Sequence, residues 1–229
     1  MLALQVERLR RCRKIDHLVV ATSDRPSDDP LAALCADLGL PVYRGALEDV
    51  LSRFAGAAKP YVPDIVVRLT GDCPLADPLL IDEIIRHFLT GDFDYLSNCA
   101  PATYPDGLDV EVFSYRALLK AAAEAVLPSH REHVTPFIRK QPELFRIGNH
   151  TADIDRSYMR WTVDEPEDFD FVKAVYERLY PHKPDFATAD ILALLQSCPE
   201  LQNANSHFER NEGARKSLQA DAEYLARSM

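Results

Sequence analysis

Two aspartates, Asp72 and Asp164, follow segments whose composition predicts buried β-strands. Asp72 ends the apolar run IVVRLTGD, and Asp164 ends WTVD, just before a proline suited to the first turn of a helix. Carboxylate oxygens at rigid strand ends are good ligands for Mg²⁺ that also binds phosphate oxygens and water. The pair is therefore a candidate metal site for a nucleoside triphosphate. The alternative is that each aspartate caps a helix or bonds to its own backbone.

The segment TYPDGLDVEVF combines a turn with a carboxylate-rich strand. Asp106 and Gly107 form a turn signal, and Asp109 and Glu111 alternate with apolar residues, which places both acids on one strand face. Tyr104 adds a hydroxyl that suits a polar ligand. These residues are candidates for a substrate pocket, and a solvated strand face is the competing interpretation of the two acids.

A third group of polar residues lies in SHREHVTPFI. Arg131 is the candidate here, because its planar guanidinium binds two oxygens of a carboxylate or phosphate. His130 and His133 are more commonly hydrogen-bonded surface residues than catalytic groups. Cys73 has no adjacent base and is interpreted as a packed thiol.

The elements around these residues alternate between strand and helix. This order predicts an α/β protein: an open, mostly parallel sheet covered by helices on both faces, in a three-layer Rossmann-like arrangement. Ligands bind such sheets beyond the carboxyl ends of the strands, so the loops 21–29 and 70–77 are the candidate site. The predicted helices cover the first residues, Asp28–Leu38, Leu47–Ala58, Asp77–Leu89, Ser114–Ala125, His130–Lys140, Glu167–Leu179, Ala189–Gln196 and a last stretch from Ala214; YMRWTVD is predicted as a strand.

Composition limits the class of protein. The 229 residues, 47% of them hydrophobic, predict a single domain over 1–229, with 181–229 as a helical C-terminal extension. A net charge of −10 disfavours a nucleic acid polymer as partner, and no apolar run is long enough for membrane insertion. Five cysteines without a Cys-x-x-Cys pair indicate free thiols and a cytoplasmic location.

Together these segments resemble the cytidylyltransferase family that activates sugars for surface polysaccharides. The resemblance is to the spore-coat polysaccharide biosynthesis F type, which is related to CMP-KDO and CMP-acylneuraminate synthetases. It extends over nearly the whole chain. The matching segments are LVVATS, YRGALEDVLSRF, IVVRLTGDCPLADP, FDYLSN, TYPDGLDVEVF, SHREHVTPFI, RWTVDEPEDF and NEGARKSL.

The resemblance implies a nucleotide-diphosphosugar-transferase fold and Mg²⁺-dependent transfer from CTP to a sugar, giving a CMP-sugar. It also implies a homodimer. The metal residues would be Asp72 and Asp164, which with Arg131 form the catalytic set. The nucleotide side would comprise Ala21, Thr22, Ser23, Thr70 and Gly71, and the sugar side Tyr104, Asp106, Gly107, Glu111, His133 and Trp161.

The sequence departs from this family at its start. The family opens with a strand and a basic, glycine-containing loop that holds the triphosphate, and no such segment is found here. The expected fold therefore lacks that first strand and loop, and the expected activity is weak or absent. Two alternatives stay open. One is a non-catalytic or degenerate sugar-nucleotide-binding subunit. The other is a related glycosyltransferase, which would need an Asp-x-Asp pair directly after a hydrophobic strand.

Overall fold

Two separate sheets carry the strands of the computed structural model, which describes residues 1–208, 210 and 220–226. The smaller sheet pairs Val20–Ser23 (β1) and Val42–Gly45 (β2) in parallel. The larger contains Ile65–Arg68 (β3), Tyr95–Ser97 (β4), Glu111–Ser114 (β5) and Ile147–Asn149 (β6), in the order β3-β5-β4-β6. β5 is antiparallel to β3 and β4, whereas β6 is parallel to β4. Three of these four strands therefore share one direction.

The helices follow the predicted order. They are Leu2–Leu9 (α1), Asp29–Asp37 (α2), Val50–Ala58 (α3), Pro78–Thr90 (α4), Tyr115–Glu124 (α5), Pro128–His133 (α6), Pro136–Arg139 (α7), Pro166–Leu179 (α8), Thr188–Ser197 (α9) and Pro199–Asn203 (α10). Residues 220–226 are also helical, and the rest of the helix predicted from Ala214 lies outside the described residues. No helix in the described part of the chain has the length and hydropathy to cross a membrane.

Successive side chains of the larger sheet face two different cores. Leu96 and Val112 pack into one core with residues of α4, α8 and α9, and Tyr95 and Phe113 pack into a second core with residues of α3, α5 and α7. Because strand side chains alternate between faces, both faces of the sheet are covered by helices. Each fully buried large apolar side chain contributes about 2 kcal/mol to folding. The three-layer arrangement expected from the sequence is present.

The helices after residue 181 belong to the same core. Phe186, Ile191 and Leu195 are buried with the residues of α4 and α8. Arg8 of α1 donates from Nε to the Ala76 carbonyl at 2.8 Å and from Nη1 to the Phe186 carbonyl at 3.0 Å, and its guanidinium stacks on the Phe186 ring. Phe186 and α9 of the predicted extension are thus packed near the loop that follows β3.

Two local predictions were wrong. The helix predicted over His130–Lys140 is divided at Val134, whose φ of +70° and ψ of −57° form a γ-turn closed by a Thr135 N–H to His133 carbonyl bond of 2.8 Å. A buried β-branched residue in this conformation is strained. The segment YMRWTVD forms only an isolated bridge between Arg160 and Asp106, because the 103–107 loop is its partner.

Candidate functional site

Asp72 lies in the turn after β3 and is held there through its backbone. Its carbonyl accepts hydrogen bonds from the Val163 N–H at 2.8 Å and the Thr162 hydroxyl at 3.4 Å. The Asp72 side chain is half-buried, and the Cys73 thiol contacts its carboxylate at 3.5 Å. The loop after β3 therefore lies directly against residues 162–164, which brings together the two segments that carry the predicted metal aspartates.

Arg160 positions Asp164. Its guanidinium donates to the Asp164 carboxylate at 2.9 Å and to the buried Asp168 carboxylate at 2.9 and 2.8 Å. Asp168 also accepts the backbone N–H groups of Asp164 and Glu165, so it fixes the start of α8. Burial opposes ionisation of Asp168, but Arg160 and these N–H groups outweigh it and lower its pKa. Asp164 itself is exposed and held on one side only.

Gly107 locks the 103–107 loop onto the segment that leads to Asp164. It has a φ of +104°, and a Cβ at this position would lie 2.5 Å from the backbone carbon of Trp161. Hydrogen bonds from the Asp106 N–H to the Met159 carbonyl and from the Trp161 N–H to the Asp106 carbonyl close the contact. The predicted turn is present. Trp161 corrects a prediction, because its side chain is 1% exposed in the core and only its backbone reaches the loop.

Arg210 binds the same 103–107 loop from a distant part of the chain. Its Nη1 donates to the Tyr104 carbonyl at 3.2 Å, its Nη2 bonds the Asp109 carboxylate, and its Nε lies 3.8 Å from the carboxylate of Asp106. Burial raises the pKa of Asp106 to about 6, against the opposing effect of Arg210. Burial likewise raises the pKa of Asp109. We call Asp72, Asp106, Asp109 and Asp164, with Arg160 and Arg210, the acidic corner.

Glu111 lies in a different environment from the one predicted. Its carboxylate accepts from the Tyr95 hydroxyl at 2.6 Å, the Thr135 hydroxyl at 2.6 Å and Arg68 at 2.5 Å, and the residue is 7% exposed. Burial disfavours its ionised form, but Arg68 and the two hydroxyls outweigh burial and lower the pKa of Glu111. These four residues form the Glu111 cluster. The predicted substrate contact of Glu111 is corrected, since its oxygens are already bonded within the protein.

Arg131 also has partners other than those predicted. Its guanidinium donates to the Asp49 carboxylate and the Ser52 hydroxyl, both at 2.5 Å, and to the carbonyls of Ala122 and Ala125. It thereby connects α6 with α3 and α5. These four acceptors engage the guanidinium that a phosphate would need, so they favour a structural role, and the catalytic role of Arg131 stays a prediction.

His133 is half-buried at the γ-turn, with Nε2 3.9 Å from the Glu132 carboxylate, and burial lowers the pKa of its imidazole. Tyr104 is half-buried and stacks on the ring of His150 at 6.1 Å. Both remain candidates for the sugar side, since each exposes part of a polar side chain.

The end of β1, which is predicted to contact the nucleotide, is hydrogen-bonded to Asp28. The hydroxyls of Thr22 and Ser23 donate to the Asp28 carboxylate at 2.6 and 2.7 Å, and these bonds lower the pKa of Asp28 to about 2. Ala21 lies one residue earlier on the same strand. Asp28, at the start of the predicted helix Asp28–Leu38, therefore accepts its hydrogen bonds from β1.

Thr70 and Gly71 differ in how closely other residues surround them. The Thr70 carbonyl accepts from the buried Gln5 amide at 2.7 Å, and its hydroxyl lies 3.3 Å from the Cys73 sulfur. Gly71 has nothing within 4 Å of a Cβ built onto it. Open space therefore lies beside the backbone next to Asp72, where a ligand can approach.

Sequence patterns missed both arginines of the acidic corner. Arg160 stands among apolar residues in YMRWTVD, a pattern that predicts a strand and gives no reason for a buried charge. Arg210 lies about a hundred residues from its partners. No group of three or more His, Cys, Asp or Glu side chains suited to a metal occurs in the described ranges. A metal ion there would be held by two aspartates, with the rest of its ligands from a nucleotide and water.

Comparison with known proteins identifies the family. The model of the cytidylyltransferase family matches residues 1–190. The chain belongs to the cytidylyltransferase family. It is therefore a nucleotidyltransferase, and its α/β Rossmann-like fold agrees with the one expected from the sequence.

Individual relatives agree with this assignment. The spore coat polysaccharide biosynthesis protein SpsF of Bacillus subtilis is 36% identical, over 81% of this chain and 77% of the relative. An uncharacterized protein of Methanocaldococcus jannaschii is 37% identical, over 92% of this chain and 85% of the relative. The solved cytidylyltransferase of Leptospira borgpetersenii is 31% identical with a TM-score of 0.84, covering 91% of this chain and 87% of that one. A CMP-KDO synthetase in complex with CTP, 12% identical with a TM-score of 0.58 and covering 77% of this chain and 87% of that one, shares the fold.

Proposed function

We propose that this cytidylyltransferase forms a CMP-activated sugar from CTP for the synthesis of a surface polysaccharide, with Mg²⁺ held by Asp72 and Asp164. The observation that carries the proposal is the position of Asp72: it is half-buried, it adjoins the open space at Gly71, and its backbone carbonyl is bonded to the segment that leads to Asp164. The similarity to SpsF supports the class of product.

Each residue has a part in this reaction. The sugar hydroxyl attacks the α-phosphorus of CTP in line, and pyrophosphate leaves. When bound, Mg²⁺ supplies charge neutralisation on the phosphates. Asp72 and Asp164 would hold that ion, and Arg160 donates to the Asp164 carboxylate at 2.9 Å, which would preorganise it. Gly107 keeps the 103–107 loop in contact with the segment that leads to Asp164.

The sugar would bind beside Tyr104 and Asp106. Carboxylate oxygens accept hydrogen bonds from hydroxyl groups. Because Arg131 is bonded to α3 and α5, it is not a suitable partner for an acidic sugar. We therefore expect a neutral, hydroxyl-rich sugar. We also expect a cytoplasmic homodimer, which sedimentation of the purified protein would test.

The test is binding of CTP with and without Mg²⁺, followed by release of pyrophosphate with a panel of sugars. We expect Mg²⁺ to strengthen CTP binding to the wild type, and Asp72→Asn to lower that affinity at least about tenfold while reducing any turnover by about 10²- to 10³-fold. Asp164→Asn should have the same direction of effect. Asp37→Asn, an exposed aspartate at the end of α2, is the matched control.

The same experiment separates the alternatives. Binding of CTP with no pyrophosphate from any sugar would favour a non-catalytic subunit. Unchanged Mg²⁺-dependent binding in both aspartate variants would contradict the proposed metal site.

A further inference from the structure

Asp106 differs from the other acids of the acidic corner in how its carboxylate is held. Its side chain is 15% exposed, and two guanidinium groups lie beside it, with Arg160 Nη1 3.6 Å from Oδ2 and Arg210 Nε 3.8 Å from Oδ1. Both distances are too long for a hydrogen bond. Within the described ranges, no N–H or O–H group donates a hydrogen bond to either oxygen. A carboxylate buried to this extent normally has such donors, so the lone pairs of Asp106 are free to accept from a ligand.

Two neighbouring acids have used more of their capacity to accept. Asp168 accepts two bonds from Arg160, one from a side-chain amide and two from backbone N–H groups. Asp109 is bonded to Arg210. The same two arginines therefore engage these acids by hydrogen bonds, and they leave Asp106 with their charge alone.

The backbone holds Asp106 beside the proposed metal ligand Asp164. The Asp106 N–H donates to the Met159 carbonyl at 2.9 Å, and its carbonyl accepts from the Trp161 N–H at 2.6 Å. Arg160 lies between the two carboxylates, since its Nη1 faces Asp106 and its Nη2 donates to Asp164 at 2.9 Å. A single guanidinium group therefore separates the two acids.

We propose that Asp106 is the general base of this cytidylyltransferase, an assignment that rests on the proposed function. The Asp106 carboxylate takes the proton of the attacking sugar hydroxyl. The sugar oxygen then forms its bond to the α-phosphorus of CTP, while the bond from that phosphorus to the pyrophosphate oxygen breaks and the electron pair leaves with pyrophosphate. The proton passes from Asp106 to water after the products leave, which restores the carboxylate.

The charges around Asp106 suit this transfer. Burial raises its pKa, and so do the neighbouring carboxylates of Asp109 and Asp164. Arg210 and Arg160 act in the opposite direction, and the pKa of Asp106 is about 6 as a result. The carboxylate form therefore predominates at pH 7, and it holds a proton more strongly than an ordinary aspartate does. A general base is most effective when its pKa lies near the working pH.

A purely structural role for Asp106 has a different consequence. If the residue served only as the counter-ion of Arg160 and Arg210, its removal would leave buried positive charge and lower the stability. Because burial outweighs the two arginines, loss of the Asp106 charge should instead stabilise the fold at pH 7. A gain of stability combined with a loss of activity is typical of a residue that serves the reaction.

Asp106→Asn tests the assignment, because it keeps the shape of the side chain and removes the base. At pH 7 we expect the variant to melt at a higher temperature than the wild type and to bind CTP at least as tightly. It should release pyrophosphate about 10²- to 10⁴-fold more slowly. In the wild type, kcat/KM should fall about tenfold per pH unit below about pH 6, because the carboxylate becomes protonated. The variant should lack this fall.

Asp106→Ala with added anions separates the base from its charge. Formate is a small carboxylate that can enter the space of the deleted side chain and take the proton. Nitrate is also small, planar and singly charged, but it is not a base at neutral pH. We expect formate to restore turnover at least about tenfold, in proportion to its concentration, and nitrate to restore none.

Three results would overturn the assignment. They are turnover in Asp106→Asn equal to that of the wild type, a fall in kcat/KM below pH 6 that persists in this variant, and equal restoration of Asp106→Ala by formate and nitrate. Failure of the proposed function has another signature, since the wild type itself would then release no pyrophosphate from CTP with any sugar of the panel.

Discussion

The Glu111 cluster and the acidic corner both place carboxylates beside buried arginines, but their charges are balanced differently. Glu111 has one guanidinium and two hydroxyls around a single carboxylate, and all of its partners come from the protein. The acidic corner has four aspartates against two arginines, and Asp72 has little more than a thiol contact. The balanced cluster holds strands together, whereas the unbalanced one suits an external cation. Unsatisfied charge distinguishes a candidate site from a structural ion pair.

Removal of the charge in the balanced cluster should have the largest effect on stability. Glu111→Gln leaves the half-buried Arg68 guanidinium without its buried counter-ion, and breaking a buried ion pair costs about 3 to 5 kcal/mol. Urea unfolding of the variant, compared with that of Asp72→Asn, checks this. A loss below about 1 kcal/mol in Glu111→Gln would mean that the cluster is dispensable and the contrast with the acidic corner is wrong.

The glycines next to the acidic corner offer a matched pair. Gly107→Ala forces a Cβ against the Trp161 backbone at a φ of +104°, and we expect a loss of about 2 to 4 kcal/mol. Gly71→Ala meets only open space, and its stability should lie within about 0.5 kcal/mol of the wild type. Thermal melts of both variants measure the difference. Equal stabilities would show that the 103–107 loop is not locked onto residues 159–162.

The raised pKa of Asp106 predicts a pH dependence. Its pKa is about 6 in the folded protein against 3.8 for the ordinary group, so folding favours the protonated form. The associated stability is fully present below about pH 4 and is lost as the pH rises through 6. Asp106→Asn removes this loss and should be more stable than the wild type by about 2 to 3 kcal/mol at pH 7. At pH 4 the two proteins should differ little, and a constant difference from pH 4 to 7 would contradict the assignment.

Substitution of Arg131 should have the smallest effect on stability. Arg131→Lys keeps the charge but loses the fork that holds Asp49, Ser52 and two carbonyls, so we expect about 1 kcal/mol lower stability. CTP binding and turnover should stay unchanged. A large fall in turnover with unchanged stability would mean that Arg131 is a catalytic residue. It would also mean that bonds within the protein do not distinguish a structural arginine from one at the site.

The sequence predicted the fold better than the roles of individual side chains. Apolar runs and caps located β3, α4 and α8 closely, because local periodicity determines them, and Gly39 ends α2 with a φ of +63°. The resemblance named Asp72 and Asp164, and the structure brings the segments that carry them together. It misassigned Glu111 and Trp161, because a polar or aromatic residue near a site looks the same in sequence whether its partner is a ligand or the protein. Arg210 depends on tertiary contacts that no spacing encodes.

The bond network of Arg8 has a consequence for how this protein can vary. A single guanidinium joins the first helix, the loop that leads from Asp72 to α4, and the Phe186 segment. The region after residue 181 is therefore not an exchangeable module. A chimera that received this tail from a relative would need the matching first helix as well, and shortening the chain before Phe186 would disturb the support of Asp72 from a distance.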